Sequence, residues 1–479
     1  MKNENKKNNN IPIPEGWKMR KMGEVAILFK LVWKPGNQDF KYIGLEHINQ
    51  GDLTINGYGF SSKLESNKFY FKRNDVLFGK LRPYFRKVWK AKFDGVCSTD
   101  IWVIRSKEGN SQDFIFYFFA NPEFINKSTV GSIGTKMPRA DWSYLLNIEY
   151  NFPSFPEQHA IAAVLSFLDD KIELLREQNK TLEAIAQAIY KRWFVDFEFP
   201  IEDETSKLPS LKGGEPEGRG GFDNTLQLKG YKSSGGKMVK SELGEIPEGW
   251  EVGKIKDLID ILPGFAFSSA DFSKEGQYKL VTIKNVQDRY FNPQTKDNLR
   301  KLPKKMPDYC ILESGDILIS LTGNVGRICL ANGKDYLLNQ RVAKLRPKNE
   351  NDHAFTYLLF LQDSIFSLIQ NTASGTAQQN LSPIQLKEIN IIIADRKILD
   401  KFGIVANKLI KKIKNNISQI QTLSALRDSL LPKLMSGKIR VPVKNEAETT
   451  PASYGCHPSL KGGELEESGL ISEKDEGNK

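Results

Sequence analysis

Two stretches of this chain repeat apolar residues at alternating steps of four and three. The first runs Ile161, Leu165, Leu168, Ile172, Leu175, Asn179, Leu182, Ala186, Ile189, Trp193; the second runs Phe402, Ala406, Leu409, Ile413, Asn416, Ile420, Leu423, Arg427, Leu430, Leu434. An unbroken four-three alternation is a heptad seam, narrower than the stripe of a core-facing helix. Each predicted helix has about 37 residues and is roughly 55 Å long. Neither seam is stable in water, so the two are expected to pack on each other. Each carries one asparagine, sixth in the first stripe and fifth in the second. Antiparallel pairing joins member k to member 11 − k and sets Asn179 opposite Asn416. Parallel pairing would bury Asn179 against Ile420 and Asn416 against Leu175. An unmatched buried amide costs about 1–3 kcal/mol, so the spacing predicts an antiparallel coiled coil with the asparagines fixing its register. Ser154-Phe155-Pro156-Glu157 reads as a capping box at the start of the first helix. Asp395 caps the second, where Ile398 stands in the box position, and Pro432 is expected to disturb its last turn and loosen Leu434.

Ahead of each long helix the pattern changes. Runs of β-branched and aromatic residues bounded by Gly, Asn and Pro predict strands at residues 75–78, 101–104, 315–319 and 341–345. A helical segment follows in each case (114–119; 355–369), then a glycine loop (131–135; 374–376). The order occurs twice because the chain is an internal repeat. Ile13-Pro14-Glu15-Gly16-Trp17 returns as Ile246-Pro247-Glu248-Gly249-Trp250, and from Asp75/Asp316 through Arg105/Arg346 to Ala184/Ala425 the copies keep an offset of 241. The predicted fold class is α+β: two similar mixed α/β domains separated by two long helices packed as an antiparallel coiled coil, with an internal pseudo-two-fold repeat. The expected boundaries are 11–153 for the first domain, 154–199 for the first long helix and 200–243 for a flexible linker rich in Gly, Ser, Lys and Glu. The second domain is 244–394, its long helix 395–437, and 442–479 a disordered acidic tail.

The chain has 479 residues and a net charge of +11. Residues 444–479 hold four Lys and eight acidic residues, so residues 1–443 carry +15. That balance points to a polyanionic partner such as nucleic acid. No apolar run approaches a membrane span, and no apolar segment follows the basic start, so a membrane or secretory destination is excluded and the cytoplasm expected. Four scattered cysteines and four histidines build no disulfide framework or zinc site.

Catalytic signatures are sought and not found. Neither Asn121-Pro122-Glu123-Phe124 nor Asn292-Pro293-Gln294-Thr295 has the second proline of an adenine methyltransferase motif, and no phosphate loop is present. Glu157 with Asp169-Asp170-Lys171 is the nearest approach to a nuclease cluster, but both pieces lie on the capped helix and read as a solvated face. His159 has no nucleophile at recognisable spacing. No catalytic or metal site is therefore assigned. Basic residues interleaved with aromatics give a better candidate. Lys80, Arg82, Tyr84, Arg86 and Lys87 follow a strand directly, and Lys136 and Arg139 follow the glycine loop. Their counterparts in the second copy are Thr322, Asn324 and Arg327, with Gln378 and Gln379. These are donors of the kind that grip phosphates and read base edges. Two modules on a stiff spacer suit a long linear ligand with two unlike half-sites. The alternatives are a non-catalytic scaffold bridging two proteins and a self-sufficient nuclease.

Taken in order, the residues resemble the specificity (S) subunit of type I restriction–modification systems. The likeness rests on the paired Ile-Pro-Glu-Gly-Trp entries, on Asn74-Asp75-Val76-Leu77-Phe78-Gly79-Lys80-Leu81-Arg82-Pro83-Tyr84, and on Gly315-Asp316-Ile317-Leu318 with Gly323. Asn339-Gln340, Ser374-Gly375-Thr376 and Pro153-Ser154-Phe155-Pro156-Glu157-Gln158 complete it, over residues 11–441. The resemblance implies two target-recognition domains, each reading half of a bipartite site in double-stranded DNA. It implies assembly with two modification subunits, which bind S-adenosylmethionine and methylate adenine, and with restriction subunits, which use ATP and Mg²⁺. It implies no catalytic site, cofactor or metal in this chain. The second copy departs from the pattern with Ala394, Lys397, Ile398 and Leu399 where the first has Pro153, Pro156, Glu157 and Gln158.

Overall fold

A computed structural model describes residues 13–36, 38–201, 230–373 and 379–442. Both heptad stretches are helical, Phe155–Tyr190 and Arg396–Met435, and they lie antiparallel along each other. The register is the expected one. Asn416 Nδ2 donates to Asn179 Oδ1 at 2.9 Å, and the Trp193 ring stands 5.6 Å from Phe402, the last member of one stripe against the first of the other. Arg427, opposite Leu168, donates to the neighbouring Asp169 carboxylate at 2.8 Å, which also accepts from the Tyr117 hydroxyl at 2.7 Å. Asn416 and Arg427 are both buried; this register supplies the amide partner of Asn416 and gives Arg427 a cross-helix carboxylate beside the Asp428 it reaches on its own helix at 3.0 Å. Near the ends the most buried position moves one residue along: Tyr190 beyond Ile189, Ile410 beyond Leu409, Leu431 beyond Leu430. A straight helix drifts about 20° per heptad against a 3.5-residue repeat, and here the drift turns the ends into the globular domains.

Those domains share one architecture. Each has a four-stranded antiparallel sheet, ordered Ala26–Phe29, Ile101–Ser106, Val76–Gly79, Val88–Lys90 in the first copy and Ile259–Pro263, Val342–Pro347, Ile317–Ser320, Ile328–Leu330 in the second. Each has a second, mixed sheet around one parallel pair, Lys41–Ile43 with Gly95–Cys97 and Tyr278–Val281 with Tyr336–Leu338; the first copy adds the edge strand Val32–Trp33. The segment expected as one helix at 355–369 is two, His353–Phe360 and Asp363–Thr372, because Gln362 is extended between them; Asn121 breaks the first copy at the same place.

Each domain has one core cluster of its own, around the mixed sheet, and a larger one that the long helices complete. The larger cluster of the first domain encloses Ile161 and Leu165 from one long helix and Leu431, Leu434 and Met435 from the other. That of the second encloses Ala186, Tyr190 and Trp193 together with Leu399, Phe402 and Ala406. This corrects the expectation for Pro432. The helix runs through it to Met435, and Leu434 is almost completely buried. Burial of three large side chains, at roughly 1.5–3 kcal/mol each, outweighs the one backbone hydrogen bond that proline removes.

The capping box is also corrected. Ser154 makes no side-chain cap, and Glu157 is buried, accepting from Trp17 Nε1 at 3.0 Å and from Arg440 at 2.6 and 2.9 Å. The carboxylate that looked local in sequence ties the end of the described chain to its beginning. The matching positions in the second copy, Trp250, Ile398 and Phe199, are apolar, and Phe199 stacks on Trp250 at 5.2 Å. Asp395 does cap its helix, accepting from the Lys397 amide at 2.8 Å.

The first long helix ends earlier than 199. A π-helical turn covers Lys191–Val195, and Phe197 has a left-handed backbone. From there the chain runs to Pro200, which pairs with Gly230 across an antiparallel bridge. Residues 230–243, expected to be flexible, are folded: Tyr231 stacks on Phe199 at 4.7 Å, and Met238–Ser241 pairs with Gly244–Pro247. Aromatic stacking and strand pairing outweigh the local Gly and Ser content. The remainder of that linker, 202–229, and the acidic tail from 443 lie outside the described residues.

The asparagine lock gives a stability prediction. Asn179→Leu strands the buried Asn416 amide and should lower stability by about 1–3 kcal/mol in denaturant titrations. Adding Asn416→Leu should recover most of that loss, because the pair is then apolar on both sides.

Candidate nucleic-acid interface

The predicted contact segments lie far apart in sequence, and backbone pairing brings them together. After the strand Val76–Gly79, the Lys80 amide donates to the Asp100 carbonyl at 2.9 Å and the Ala140 amide to the Lys80 carbonyl at 2.9 Å. Leu81 and Arg139 form a β-bridge, and the Arg82 amide donates to the Pro138 carbonyl at 2.7 Å. In the second copy Thr322 bridges Asn380, the Gly323 amide donates to the Gln379 carbonyl at 2.9 Å, and the Leu381 amide to the Leu321 carbonyl at 2.8 Å. Each copy therefore presents one platform made of the strand exit and the segment after the glycine loop.

The candidate side chains divide on these platforms. Tyr84, Lys136, Arg139 and Asn324 are exposed. Arg139 pairs with Asp100 at 3.1 Å. Lys80 is half-buried, and loss of solvent lowers its ammonium pKa against the pull of Asp100. Lys87 turns away: its ammonium donates to the Leu45 carbonyl and is likewise lowered by burial. Thr322 is buried and donates to Asn380 Oδ1 at 2.8 Å, so it orients its neighbour rather than meeting a ligand. Arg327 donates to Gln287 Oε1 at 2.7 Å. Gln379 is half-buried at the platform edge. Gln378, with the glycine loop at 374–376, lies outside the described residues.

Arg82 and Arg86 are set differently. They flank the turn Pro83–Phe85, and both have left-handed backbones, φ 52° and 53°. For residues other than glycine this costs roughly 1–2 kcal/mol each, and such strain persists where the surroundings hold it. Here the Arg82–Pro138 bond and the Gly51 amide on the Arg86 carbonyl, at 3.2 Å, hold it. The counterpart of Arg82 in the second copy is Gly323, φ 75°. The first copy thus keeps an arginine where glycine fits the backbone better, which points to a use for the side chain.

Sequence reasoning passed over several neighbours. Gln340, Arg341 and Asn380 line an open depression with Thr322. Arg341 corresponds to Asp100 of the first copy, so the platforms carry opposite charge at one point. Arg300, Lys301, Lys304 and Lys305 form an exposed basic run; its charge density was the available signal, but the first copy has no matching run. Two carboxylates of the nearest approach to a nuclease cluster are otherwise engaged, Glu157 with Trp17 and Arg440 and Asp169 with Arg427 and Tyr117. His159 is exposed, edge-on to Phe155 at 4.6 Å.

Comparison with known proteins adds an independent finding. The family model described as the type I restriction modification DNA specificity domain matches residues 14–184 and again residues 247–419. The HindI specificity subunit of Haemophilus influenzae is 27% identical over 440 residues, covering 83% of this chain and 95% of that protein. The MjaVIII specificity subunit of Methanocaldococcus jannaschii is 25% identical over 454 residues, covering 90% and 94%. Among solved structures, the type I restriction–modification S subunit from M. genitalium is similar at 18% identity and a TM-score of 0.47, over 90% of this chain and 97% of that one.

Arg82→Gly separates the two contributions of that residue. Removing the left-handed strain should leave thermal stability unchanged or raised by up to about 1 kcal/mol. If Arg82 neutralises one phosphate, duplex affinity should fall and the slope of log K against log salt become shallower by about 0.9.

Proposed function

This chain belongs to the type I restriction–modification DNA specificity family, and we propose that each of its copies reads one half of a bipartite, asymmetric DNA site through the platform described above. It is the specificity subunit, the component that recognises the DNA target, and is not itself the enzyme. The observation that carries the two-reader proposal is the doubled platform: the same backbone pairing, built twice on one register-locked coiled coil, with different side chains. Arg82 faces Gly323 in the alignment of the copies, Asp100 faces Arg341 and Arg139 faces Asn380, so the half-sites differ. Arginine matches guanine O6 and N7, whereas Asn and Gln match adenine N6 and N7. Lys136 and Arg86 are suited to phosphates, which position the protein without conveying sequence. The half-sites would lie about 34–36 Å apart, one helical turn, or a multiple of it.

The same reading places this chain with two modification subunits carrying S-adenosylmethionine and with restriction subunits using ATP and Mg²⁺, all of these cofactors being bound by the partners. It places the complex in the cytoplasm. Among the described residues no helix is long and apolar enough to cross a membrane.

The test is adenine-methylation mapping in cells expressing this chain with its methyltransferase partner. One asymmetric motif, two short halves around a fixed run of unspecified bases, is expected, and Gln379→Ala should alter only one half. A verified complex that adds no new motif would count against the proposal and favour a scaffold.

A further inference from the structure

Both domains carry a tip that reaches away from its own core to the middle of the first long helix. In the first copy Asp52 accepts from Arg176 Nη2 with both oxygens, at 3.0 and 2.8 Å. In the second, Arg289 pairs with Glu183 at 3.2 Å. The tips are counterparts: residues 48–52 align with 286–290 after the parallel-paired strands, placing Gly51 against Arg289 and Asp52 against Tyr290. Arg176 and Glu183 are one heptad apart, so they project from the same side of the helix about 10.5 Å from each other, on either side of the Asn179 lock.

Each tip is also bonded to its own reading loop. The Gly51 amide donates to the Arg86 carbonyl, and the Arg289 amide to the Ile328 carbonyl at 2.8 Å, while Gln287 accepts from Arg327. A continuous polar path therefore runs from Arg86 through the first tip to Arg176, along two turns of helix to Glu183, and through the second tip to Arg327. The tips also approach each other. The Tyr290 hydroxyl is raised above its usual pKa, by loss of solvent at the hydroxyl and next by the Asp52 carboxylate.

The apolar anchors sit elsewhere, at opposite ends of the coiled coil: Ile161 and Leu165 for one domain, Tyr190 and Trp193 for the other. A domain fixed only at its end can pivot there, and an ion pair nearer the middle resists the pivot. We propose that the Asp52–Arg176 and Arg289–Glu183 pairs are struts that hold the two reading loops at one separation and angle, making these four positioning residues for the spacer length of the target. The inference rests on the two-reader proposal above. One base pair added to the spacer moves a half-site by about 3.4 Å and turns it by about 35°. A displacement of that size is enough to pull either strut apart.

The experiment uses the full chain with its methyltransferase partner and a set of duplexes carrying both half-sites with the mapped spacer, one base pair shorter and one longer. The wild type should methylate only the mapped spacing. Asp52→Ala with Arg289→Ala should keep both half-site sequences and the melting temperature, yet raise methylation of the altered spacings at least tenfold relative to the mapped one. In the Arg289→Ala background, Asp52→Arg with Arg176→Asp, which rebuilds the first strut with its charges exchanged, should be stricter than the double alanine variant. Unchanged strictness in the alanine variant would overturn the strut proposal alone, as would loss of half-site selectivity without any gain at altered spacings. Absence of a two-part motif in the wild type would instead overturn the reading on which it rests.

Discussion

The hydrogen bond between Asn179 and Asn416 sets the geometry on which the rest of the molecule depends. It gives the buried Asn416 amide its match in the half-buried Asn179, and it admits one alignment of the two long helices. In that alignment Arg427 meets Asp169, which also holds Tyr117, and Trp193 meets Phe402. The helix ends then fall where the domain cores need them, with Leu431, Leu434 and Met435 completing one and Ala186, Tyr190 and Trp193 the other. A slip of one heptad would part the asparagines, cost Arg427 its cross-helix carboxylate and open both cores. Register here is a global property decided by two short polar contacts.

The copies show what can vary on this frame and what cannot. Backbone pairing between the strand exit and the segment after the glycine loop is the same in both, as is the parallel strand pair of the second sheet. The carboxylate at the start of a central strand is kept as well, but its partner changes: Asp75 holds Arg105, whereas Asp316 holds Lys344. At the platform surface almost every side chain differs. The joints at the two ends of the coiled coil differ too, being ionic around Glu157 and aromatic around Trp250. The joints thereby distinguish the two ends of a nearly symmetric molecule and discourage each domain from docking at the other's end.

What was legible in the sequence was whatever is periodic or repeated. Heptad arithmetic gave the antiparallel register because both asparagines lie on the seam itself, and the offset of 241 gave the doubled architecture. The segments later joined at the platforms were singled out by composition alone, and their union depends on pairing between residues nearly sixty positions apart. Side-chain direction was not legible: Lys87 has the right chemistry but turns to the Leu45 carbonyl, and Thr322 is buried beneath Asn380. Glu157 misled because a capping box and a long-range ion pair look alike when only four residues are read. Its partner Arg440 lies 283 positions away. The struts were invisible for the same reason, since nothing near Asp52 or Arg289 announces a distant helix.

The sharing of both cores has a consequence for how the chain is made. Residues that close the first domain, from Leu431 to Arg440, are synthesised about 240 residues after its own long helix has ended. At cellular elongation rates of about 5–20 residues per second, that is an interval on the order of ten to fifty seconds. Throughout it, the face of Ile161 and Leu165 and the surface awaiting Leu431, Leu434 and Met435 stand uncovered on the ribosome. A chain truncated before Leu431 leaves that surface uncovered for good, so incomplete copies expose apolar surface of the kind that chaperones and proteases recognise.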